Sequence, residues 1–249
     1  MASSTGDSGV PNDFGNFNKV ASSAAAERNK LPIAEVIVPY LADAPKGSVL
    51  LELACGTGQH AAHLAPLLPH VKIQPTDLDD SSFDAVVHYC GKHGNVNPPK
   101  TLDASADWAP SVVSDLKDVG PVMAMLVVNM THISPYSATQ GLMRGAGAVL
   151  APGGRLFVYG PFKKGGKHTS EGNETFDASL RAQNQEWGYR DVEAVEALAA
   201  AEGMSTVVRN GDCLVMRAFW PGTDRSWRPC LTLTPVKLVA QSPMKTSLR

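Results

Sequence analysis

Hydrophobic residues follow two alternating patterns along the chain, and these predict helices and strands in turn. Continuous apolar runs at residues 48–54, 121–133 and 155–160 are typical of strands buried on both faces. Between these runs, segments such as HAAHLAPLL and SATQGLMRGAGAVL carry apolar residues at helical spacing. The shorter segments VKIQPTDLD and KTLDAS indicate two further strands. Strands that alternate with helices predict an α/β fold with a mostly parallel sheet and helices on both faces.

The two ends of the chain depart from this alternation. Near the C-terminus, two strand-like runs flank Asn210-Gly211, a pair that favours a hairpin turn, so we expect the sheet to end in an antiparallel hairpin. Residues 1–24 contain few large apolar side chains and predict a flexible segment. Residues 221–249 contain four prolines and no helical period, and we treat them as a C-terminal extension of undefined order. Residues 25–220 remain as one domain.

Composition and charge narrow the choice of partner. The chain has 249 residues, of which 43% are hydrophobic and 18% charged, which is enough apolar material for one globular core. The formal net charge is −2 and no block of five like charges occurs, so the basic surface typical of a nucleic-acid binder is missing. No run of 18 apolar residues predicts a membrane span. These features favour a small-molecule substrate, and they leave the oligomeric state open.

The cysteines and histidines do not predict a metal site. The four cysteines lie far apart and form no C-x-x-C pair, which fits neither a zinc site nor a disulfide framework. We therefore expect reduced thiols in a cytoplasmic protein, and the N-terminal segment lacks the apolar core of a signal peptide. His60 and His63 stand three residues apart on a predicted helix, but we expect that helix face to be solvated and to bind no metal.

A glycine-rich turn follows the first predicted strand in the segment VLLELACGTGQH. Gly56, Gly58 and Ala61 match the dinucleotide fingerprint G-x-G-x-x-G/A, and Asp77 stands where a ribose-binding acid would follow. A phosphate-binding Walker loop is excluded because no Lys-Ser/Thr pair follows the glycines. Glu52 lies inside the strand, four residues before Gly56, where it would repel a pyrophosphate but attract an ammonium or a sulfonium. Alternatively, Glu52 simply caps the turn.

Polar residues recur after each predicted strand of the sheet. Asp77 follows the second strand, Asp103 the third and Asn129 the fourth. Ligands of open α/β sheets bind at the carboxyl ends of the strands, so we expect these residues to lie near one another. Each acid has an alternative role as a cap of the helix that follows it.

Three segments resemble the first cofactor-binding motifs of class I S-adenosylmethionine-dependent methyltransferases: VLLELACGTGQH, QPTDLDD and TLDAS. More narrowly, AERNKLPIAEVI, NMTHISPYSATQGLMRGAGAVLAPGGRLFVYGPF and FDASLRAQNQEWGYRDVEAVEALAAAEGM are similar to the DUF938 or UPF0585 family, whose animal member is called methyltransferase-like 26. The resemblance covers roughly residues 25–220. It implies the Rossmann-like, doubly wound, seven-stranded sheet of that class, S-adenosylmethionine as the cofactor, and methyl transfer to a small-molecule acceptor at an O, N or S atom.

The resemblance also implies roles for individual residues. Gly56 and Gly58 would let the backbone approach the cofactor, Asp77 would accept hydrogen bonds from the ribose, and Asp103 would accept one from the adenine. Arg28 stands just before the first long helix, which we expect to begin near Pro32, and its guanidinium would bind the cofactor carboxylate. The full set expected to bind the cofactor is Arg28, Glu52, Gly56, Gly58, Asp77, Asp103, Ala104 and Asn129.

The segment NMTHISPY after the central strand is where the acceptor and the methyl donor would meet. His132 is the nearest candidate for a general base, and we expect it to act together with Asn129. The alternative is a structural histidine that binds a loop carbonyl. The residues expected to contact the acceptor are Tyr136, Tyr159, Asp177, Trp187 and Arg190, although Trp187 fits a core position equally well.

Two other functions remain open at the level of sequence. An NAD-dependent oxidoreductase fits the glycine turn, but the chain has no recognisable Tyr-x-x-x-Lys pair or metal-ligand set to perform its chemistry. A catalytically silent cofactor-binding or scaffold protein is the third possibility. Such a protein would be expected to lose its cofactor residues, and here Glu52, Gly56, Gly58, Asp77 and Asp103 are all present.

Overall fold

The computed structural model describes residues 22–210 and 213–218. Most of the expected flexible segment and the whole expected C-terminal extension lie outside these residues. The helices are α1 Ala24–Leu41, α2 Gln59–Leu64, α3 Phe83–Cys90, α4 Ala109–Leu116, α5 Tyr136–Val149, α6 Glu171–Gln183 and α7 Val192–Ala201. The strands are β1 Val49–Leu53, β2 Lys72–Asp77, β3 Lys100–Thr101, β4 Val122–Val128, β5 Leu150–Tyr159, β6 Phe162–Lys163, β7 Arg190–Asp191, β8 Met204–Asn210 and β9 Cys213–Ala218. Within the described residues, no helix is both long and apolar enough to span a membrane.

Seven of these strands form one sheet in the order β3-β2-β1-β4-β5-β9-β8. The pairs from β3 to β5 are parallel, whereas β9 pairs antiparallel with both β5 and β8. Asn210 pairs with Cys213 across the predicted hairpin, whose turn residues 211–212 lie outside the described part of the chain. The predicted fold class, including the antiparallel hairpin, is confirmed. A separate two-stranded sheet joins β6 to β7.

The strand order reverses between β1 and β4, which lie side by side at the centre of the sheet. The chain moves outward in one direction from β1 through β2 to β3, and then in the other direction from β4 to β5. The connections after β1 and β4 therefore leave on opposite faces and open a crevice at the carboxyl ends of these strands. This topological switch point is the expected ligand-binding position in an open α/β sheet.

Alternating side chains of the strands supply two separate apolar cores. On β1, Val49, Leu51 and Leu53 pack with residues of α4, α5 and α7, while Leu50 packs on the other face with residues of α1, α2 and α3. All four of these β1 side chains are buried, as the continuous apolar run predicts. The central strands thus gain hydrophobic stabilisation on both faces, and the crevice opens at the carboxyl ends of these strands.

Helix α1 begins earlier than the sequence predicted. Ser23 is its N-cap and accepts a hydrogen bond from the amide of Ala26, and Pro32 lies inside the helix rather than in its first turn. The expected position of Arg28 before the helix is therefore wrong, because Arg28 lies inside it. The serine cap and the following alanines favour helix, and burial of Ile33 and Ile37 outweighs the hydrogen bond that Pro32 cannot donate.

Two glycines on α5 let this helix pack unusually close to the segment after β3. A Cβ added to Gly141 would overlap the carbonyl oxygen of Ala104, and one added to Gly145 would overlap the ring of Trp108. Both Ala104 and Trp108 are buried beneath α5. Glycine is therefore required here by packing, even though it lowers the intrinsic stability of a helix by about 1 kcal/mol relative to alanine.

We predict that Gly141→Ala destabilises the protein by about 1–3 kcal/mol, since the added methyl group meets backbone that cannot rotate away. Urea unfolding followed by circular dichroism measures the change. Gly94→Ala is the matched control, because a Cβ there has no heavy atom within 4 Å. An unchanged or raised free energy of unfolding for Gly141→Ala would show that α5 can move away from Ala104 at little cost.

Candidate ligand-binding site

The backbone of the glycine turn after β1 adopts positive φ at several residues and leaves open space beside Gly56. Ala54 and Gly56 have φ of 54° and 52°, and Gly58, the N-cap of α2, has φ of 78°. A Cβ on Gly58 would lie 3.1 Å from the Cα of Val86, so this glycine is required by packing against α3. A Cβ on Gly56 would have no heavy atom within 4 Å. The space beside Gly56 is therefore open to a ligand.

Asp77, at the end of β2, holds this turn in place. One oxygen of its carboxylate accepts a hydrogen bond of 2.7 Å from the amide of Gly56, and the other accepts one of 2.7 Å from the amide of Leu78. The structure therefore brings Asp77 and Gly56 into direct contact. Each carboxylate oxygen has a second lone pair, so the group can still accept hydrogen bonds from a ligand.

Glu52 lies beneath the turn as a buried carboxyl group. Only 2% of its surface is exposed, its Oε2 has no hydrogen-bond partner, and its Oε1 lies 3.6 Å from Nδ1 of His60. Burial, and secondarily the charge of Asp77, raises the pKa of Glu52 to about 8, against the opposing effect of the Ala61 amide. At neutral pH this carboxyl is therefore mostly protonated in the ligand-free protein.

His60 is not on a solvated helix face, and that expectation is wrong. It is 6% exposed, because α1 packs over α2, and its Nε2 lies 2.8 Å from Oδ1 of the buried Asn29. Burial is the main cause that lowers the pKa of His60 to about 4, so its imidazole is neutral at pH 7. The helical period placed His60 and His63 on one face, but it could not show which face α1 covers.

Gln59, which the sequence did not single out, fastens the start of α1 to the turn. Its Oε1 accepts hydrogen bonds from the amide of Ser23, at 2.6 Å, and from Oγ1 of Thr57, at 2.7 Å. Its Nε2 donates to Glu27 on α1. These contacts bring the exposed Arg28, which follows Glu27, to the end of α1 that adjoins the turn.

Asp103 and Ala104 follow β3 at the same edge of the sheet. Asp103 is exposed, and its Oδ1 accepts hydrogen bonds from Oγ of Ser105, at 2.6 Å, and from its amide, at 2.8 Å. These two hydrogen bonds, the side-chain one first, lower the pKa of Asp103. The carboxylate thus stays ionised and keeps its Oδ2 for another donor.

A cavity of about 150 Å³ adjoins Asp103, between the first three strands and α4. Gln74, Thr76, Lys100 and Trp108 are among its lining residues, whereas Glu52 and Asn129 are not. The cavity therefore lies beside the switch point rather than at it. We place the candidate site by the strand ends, where the acidic side chains and the open space beside Gly56 occur together.

The end of β4 carries the second non-glycine residue with positive φ among those described, Asn129, at 56°. Its amide donates a 2.8 Å hydrogen bond to the carbonyl of Tyr159 at the end of β5. A Cβ added to the neighbouring Gly160 would lie 3.4 Å from Nδ1 of His132 and 3.6 Å from Oδ1 of Asn129. The structure thus brings together Asn129, His132 and Tyr159. Such backbone strain is typical of functional positions.

His132 is buried in an aromatic cluster. It is 4% exposed, its ring lies 5.8 Å from that of Tyr189 and 6.2 Å from that of Phe176, and its Nδ1 has no hydrogen-bond partner. Burial, and secondarily the charge of Arg190, lowers the pKa of His132 to about 4, while Asp177 opposes the shift. The imidazole is therefore neutral at pH 7 and keeps an unused acceptor nitrogen.

Arg190 anchors the loop that carries His132. Its Nε donates to the carbonyl of Thr131 at 2.9 Å, and its Nη2 donates to those of Ser134, at 2.5 Å, and Glu186, at 3.1 Å. The guanidinium also lies 5.4 Å from the ring centre of Tyr136, the first residue of α5. In this structure the contacts of Arg190 are those of a loop anchor, and its contact with an acceptor stays a prediction.

Asp177 likewise binds groups within the protein. It accepts hydrogen bonds from the amide of Tyr189, at 2.7 Å, and from Nε2 of His168, at 2.8 Å, and Nε of Arg181 lies 3.4 Å away. Burial favours a higher pKa for Asp177, but these three groups together hold it below its ordinary value. Trp187 is half-buried in the same segment. Acceptor binding by Asp177 and Trp187 stays a prediction.

The candidate site therefore has two parts at one edge of the sheet. An acidic part contains Glu52, Gly56 and Asp77, with Asp103 beyond them. A second part, named the acceptor part for the role that the sequence predicts, contains Asn129, His132 and Tyr159. Within residues 22–210 and 213–218, no group of three potential metal ligands occurs. The arrangement suits a ligand that carries positive charge and hydroxyl groups.

Solved methyltransferase structures share this fold. An O-methyltransferase family protein from Burkholderia thailandensis superimposes with a TM-score of 0.61 at 14% sequence identity, over 80% of this chain and 60% of that one. Geranyl diphosphate C-methyltransferase from Streptomyces coelicolor A3(2), in complex with Mg²⁺, geranyl diphosphate and S-adenosyl-L-homocysteine, gives a TM-score of 0.55 at 14% identity, over 73% of this chain and 64% of that one. This chain thus spans less than two thirds of either protein, and the likeness is one of fold.

A family model gives the more specific match. It is described as "Protein of unknown function (DUF938)", and it matches residues 20–210, a range that contains α1, the glycine turn, the acidic strand ends and the loop of His132. The match extends over more than half of the chain, in agreement with the resemblance found in its motifs. The chain belongs to the DUF938 family.

Proposed function

We propose that this protein transfers a methyl group from S-adenosylmethionine to a small-molecule acceptor. The observation that carries this proposal is Glu52, a buried carboxyl with an unpartnered oxygen beside the glycine turn at the switch point. A buried carboxyl oxygen without a hydrogen-bond partner destabilises a protein, so we infer a ligand that pairs with Oε2 of Glu52. An ammonium group fits this requirement, whereas the pyrophosphate of a dinucleotide adds repulsion.

The other residues of the acidic part fit the remainder of this cofactor. Asp77 has acceptor capacity for the ribose hydroxyls, and Asp103 for the adenine amino group. The open space beside Gly56 accommodates the methionyl part, and Arg28 on α1 is the candidate for its carboxylate. We include Gly58, Ala104 and Asn129 as the backbone that shapes the site. This set pairs the ammonium and the carboxylate of the cofactor each with a side chain of opposite charge.

The acceptor part supplies what methyl transfer demands of the protein. When bound, S-adenosylmethionine supplies an electrophilic methyl group on a sulfonium. The chain must then hold an acceptor in line with that methyl group and remove a proton if the acceptor carries one. Nδ1 of His132 is neutral and unpartnered beside Asn129, so it can accept the proton of a hydroxyl or amine. We assign His132 as the base and Asn129 as its neighbour in catalysis.

The acceptor itself is proposed to lie against the loop of His132. Tyr136, Tyr159, Asp177, Trp187 and Arg190 all belong to the segments around this loop, and we retain them as acceptor-side residues. Of these, Tyr136 is 39% exposed and offers an accessible aromatic surface. We further propose residues 25–220 as the catalytic domain and the cytoplasm as its location, on the grounds of the sequence.

We predict that S-adenosylhomocysteine or S-adenosylmethionine raises the melting temperature of the protein, whereas NADH does not. A ligand that binds only the folded state at 100 times its Kd stabilises it by about 2.7 kcal/mol. Thermal unfolding followed by tryptophan fluorescence with each ligand gives the answer. A shift with NADH alone would favour the oxidoreductase, and no shift with any of the three would favour a protein without this cofactor.

We predict that Asp77→Asn weakens binding of S-adenosylhomocysteine by roughly ten- to a hundred-fold, because it removes a charged acceptor worth about 1.5–3 kcal/mol. Asparagine can still accept the amide hydrogen bond of Gly56, although its NH₂ group cannot accept the one from Leu78, so the melting temperature of the ligand-free variant checks that the fold is kept. Calorimetry gives the Kd. Asp79→Asn, in the same loop but paired only with Ser81 nearby, is the matched control. An equal loss in both variants would remove Asp77 from the ribose site.

We predict that His132→Phe lowers turnover by roughly a hundred-fold or more while it leaves the Kd of the cofactor nearly unchanged. Phenylalanine keeps the ring packing against Phe176 and Tyr189 but lacks Nδ1. Because the pKa of His132 is about 4, wild-type turnover should show no loss from this group between pH 8 and pH 6. The acceptor for this assay comes from metabolite fractions screened with methyl-labelled cofactor. Near-wild-type turnover of the variant would return His132 to a structural role.

A further inference from the structure

Three buried residues from three elements form a chain of contacts that ends at Glu52. Asn29 on α1 is 2% exposed, and its Oδ1 lies 2.8 Å from Nε2 of His60 on α2. The other ring nitrogen of His60, Nδ1, lies 3.6 Å from Oε1 of Glu52 on β1. Because the amide oxygen of Asn29 can only accept a hydrogen bond, Nε2 of His60 must carry the ring proton.

This tautomer decides which form of Glu52 is stable. With its proton on Nε2, the neutral ring of His60 presents the lone pair of Nδ1 to Glu52. Nδ1 and Oε1 of Glu52 are 3.6 Å apart, beyond hydrogen-bond distance, but a lone pair opposite an ionised carboxylate is repulsive, and protonation of the carboxyl removes this repulsion. The contact between His60 and Glu52 therefore favours the protonated acid.

Among the charged and titratable groups around this pair, Asp77 acts in the same direction and the others are neutral or offset one another, while the amide of Ala61 opposes the protonated form. From β2, the carboxylate of Asp77 adds negative charge near Glu52, and the buried thiols Cys55 on the same strand and Cys90 on α3 have pKa values raised by burial and stay neutral.

On the helices, His60 is influenced by His63 of α2 and by Glu27 and Lys30 of α1. Lys30 is ion-paired with Glu27 at 2.5 Å, so these two charges largely offset one another. The described groups packed around Glu52 thus supply no cation that would ionise it in the absence of a ligand.

We propose that His60, held by Asn29, is a positioning residue that keeps Glu52 protonated until the ammonium group of the cofactor binds, and that binding then expels one proton to solvent. The O–H bond of Glu52 breaks, the proton passes to water or buffer, and the carboxylate pairs with the ammonium. This inference rests on the proposed function and adds to it the release of one proton for each cofactor molecule that binds.

The pKa of Glu52, about 8 in the ligand-free protein, determines how the affinity for the cofactor changes with pH. Below this pH, binding must first remove the proton, so affinity for the cofactor rises about tenfold for each pH unit between pH 6 and pH 7 and levels off above pH 8. Stability changes in the opposite sense. The unfolded chain loses this proton near pH 4.5 and the folded chain near pH 8, so the free energy of unfolding falls across that window.

Isothermal titration calorimetry of the wild-type protein with S-adenosylhomocysteine measures the proton directly. Titrations at pH 7 in two buffers with different ionisation enthalpies should show release of roughly 0.9 proton per ligand, and the Kd should be about tenfold lower at pH 7 than at pH 6. The cofactor ammonium itself stays protonated in this range.

Two variants separate the role of Glu52 from that of His60, and a third serves as a control. Glu52→Gln should bind more weakly and release no proton. His60→Gln keeps an amide that reaches Asn29 but removes Nδ1, so proton release at pH 7 should fall and the affinity should level off at a lower pH than in the wild type. His88→Gln, on an exposed face of α3, should behave as wild type.

Two measurements need no ligand and test the protonated state directly. The melting temperature of the wild type should fall more between pH 5 and pH 8 than that of Glu52→Gln. In ¹⁵N spectra of the histidine-labelled wild type, His60 should be neutral with its proton on Nε2 from pH 6 to pH 8.

The outcomes distinguish this inference from the proposed function. If S-adenosylhomocysteine fails to bind the wild type, the proposed function fails. If it binds without proton release, or if His60→Gln shows the same proton release and pH profile as the wild type, the role of His60 is overturned while the cofactor assignment stands. If the proton of His60 lies on Nδ1, the inference is likewise wrong.

Discussion

The parallel pairing of β1 with β4 is the constraint on which the site depends. Because the chain leaves these neighbouring strands toward opposite faces, the residues that follow them cannot continue the sheet, and both Ala54 and Asn129 take up positive φ. The first bend leads into the glycine turn above Glu52, and the second leads into the loop of His132. One topological feature therefore generates both the acidic part and the acceptor part of the site. The apolar residues packed on both faces of the central strands fix the two parts relative to each other.

Much of the fold and part of the site could be predicted from the sequence. Continuous apolar runs identified the central strands, and Asn210-Gly211 identified the hairpin, since both signals depend on local residue type. The position of Asp77 at the same edge of the sheet as the glycine turn followed from the rule that parallel strands end at one edge. These features are local in sequence or are fixed by sheet topology, which is why they could be inferred without coordinates.

Other features depend on which surfaces meet in three dimensions. The burial of His60 required knowing that α1 covers α2, and the packing role of Gly141 required knowing that Ala104 lies beneath α5. Helical period places residues on a common face, but it does not say what that face contacts. In the same way, the sequence could not show that Arg190 donates to three backbone carbonyl groups, and its expected contact with an acceptor stays a prediction.

The contacts of Arg190 determine which substitutions the loop of His132 can accept. Its hydrogen bonds go to the carbonyl groups of Thr131, Ser134 and Glu186, and carbonyl groups are the same in every amino acid. Side chains at these three positions can therefore be exchanged without loss of the bonds that define the path of the loop. Substitutions at these positions can therefore change the surface that the loop presents at the edge of the sheet while the loop itself, and the position of His132 within it, stays fixed.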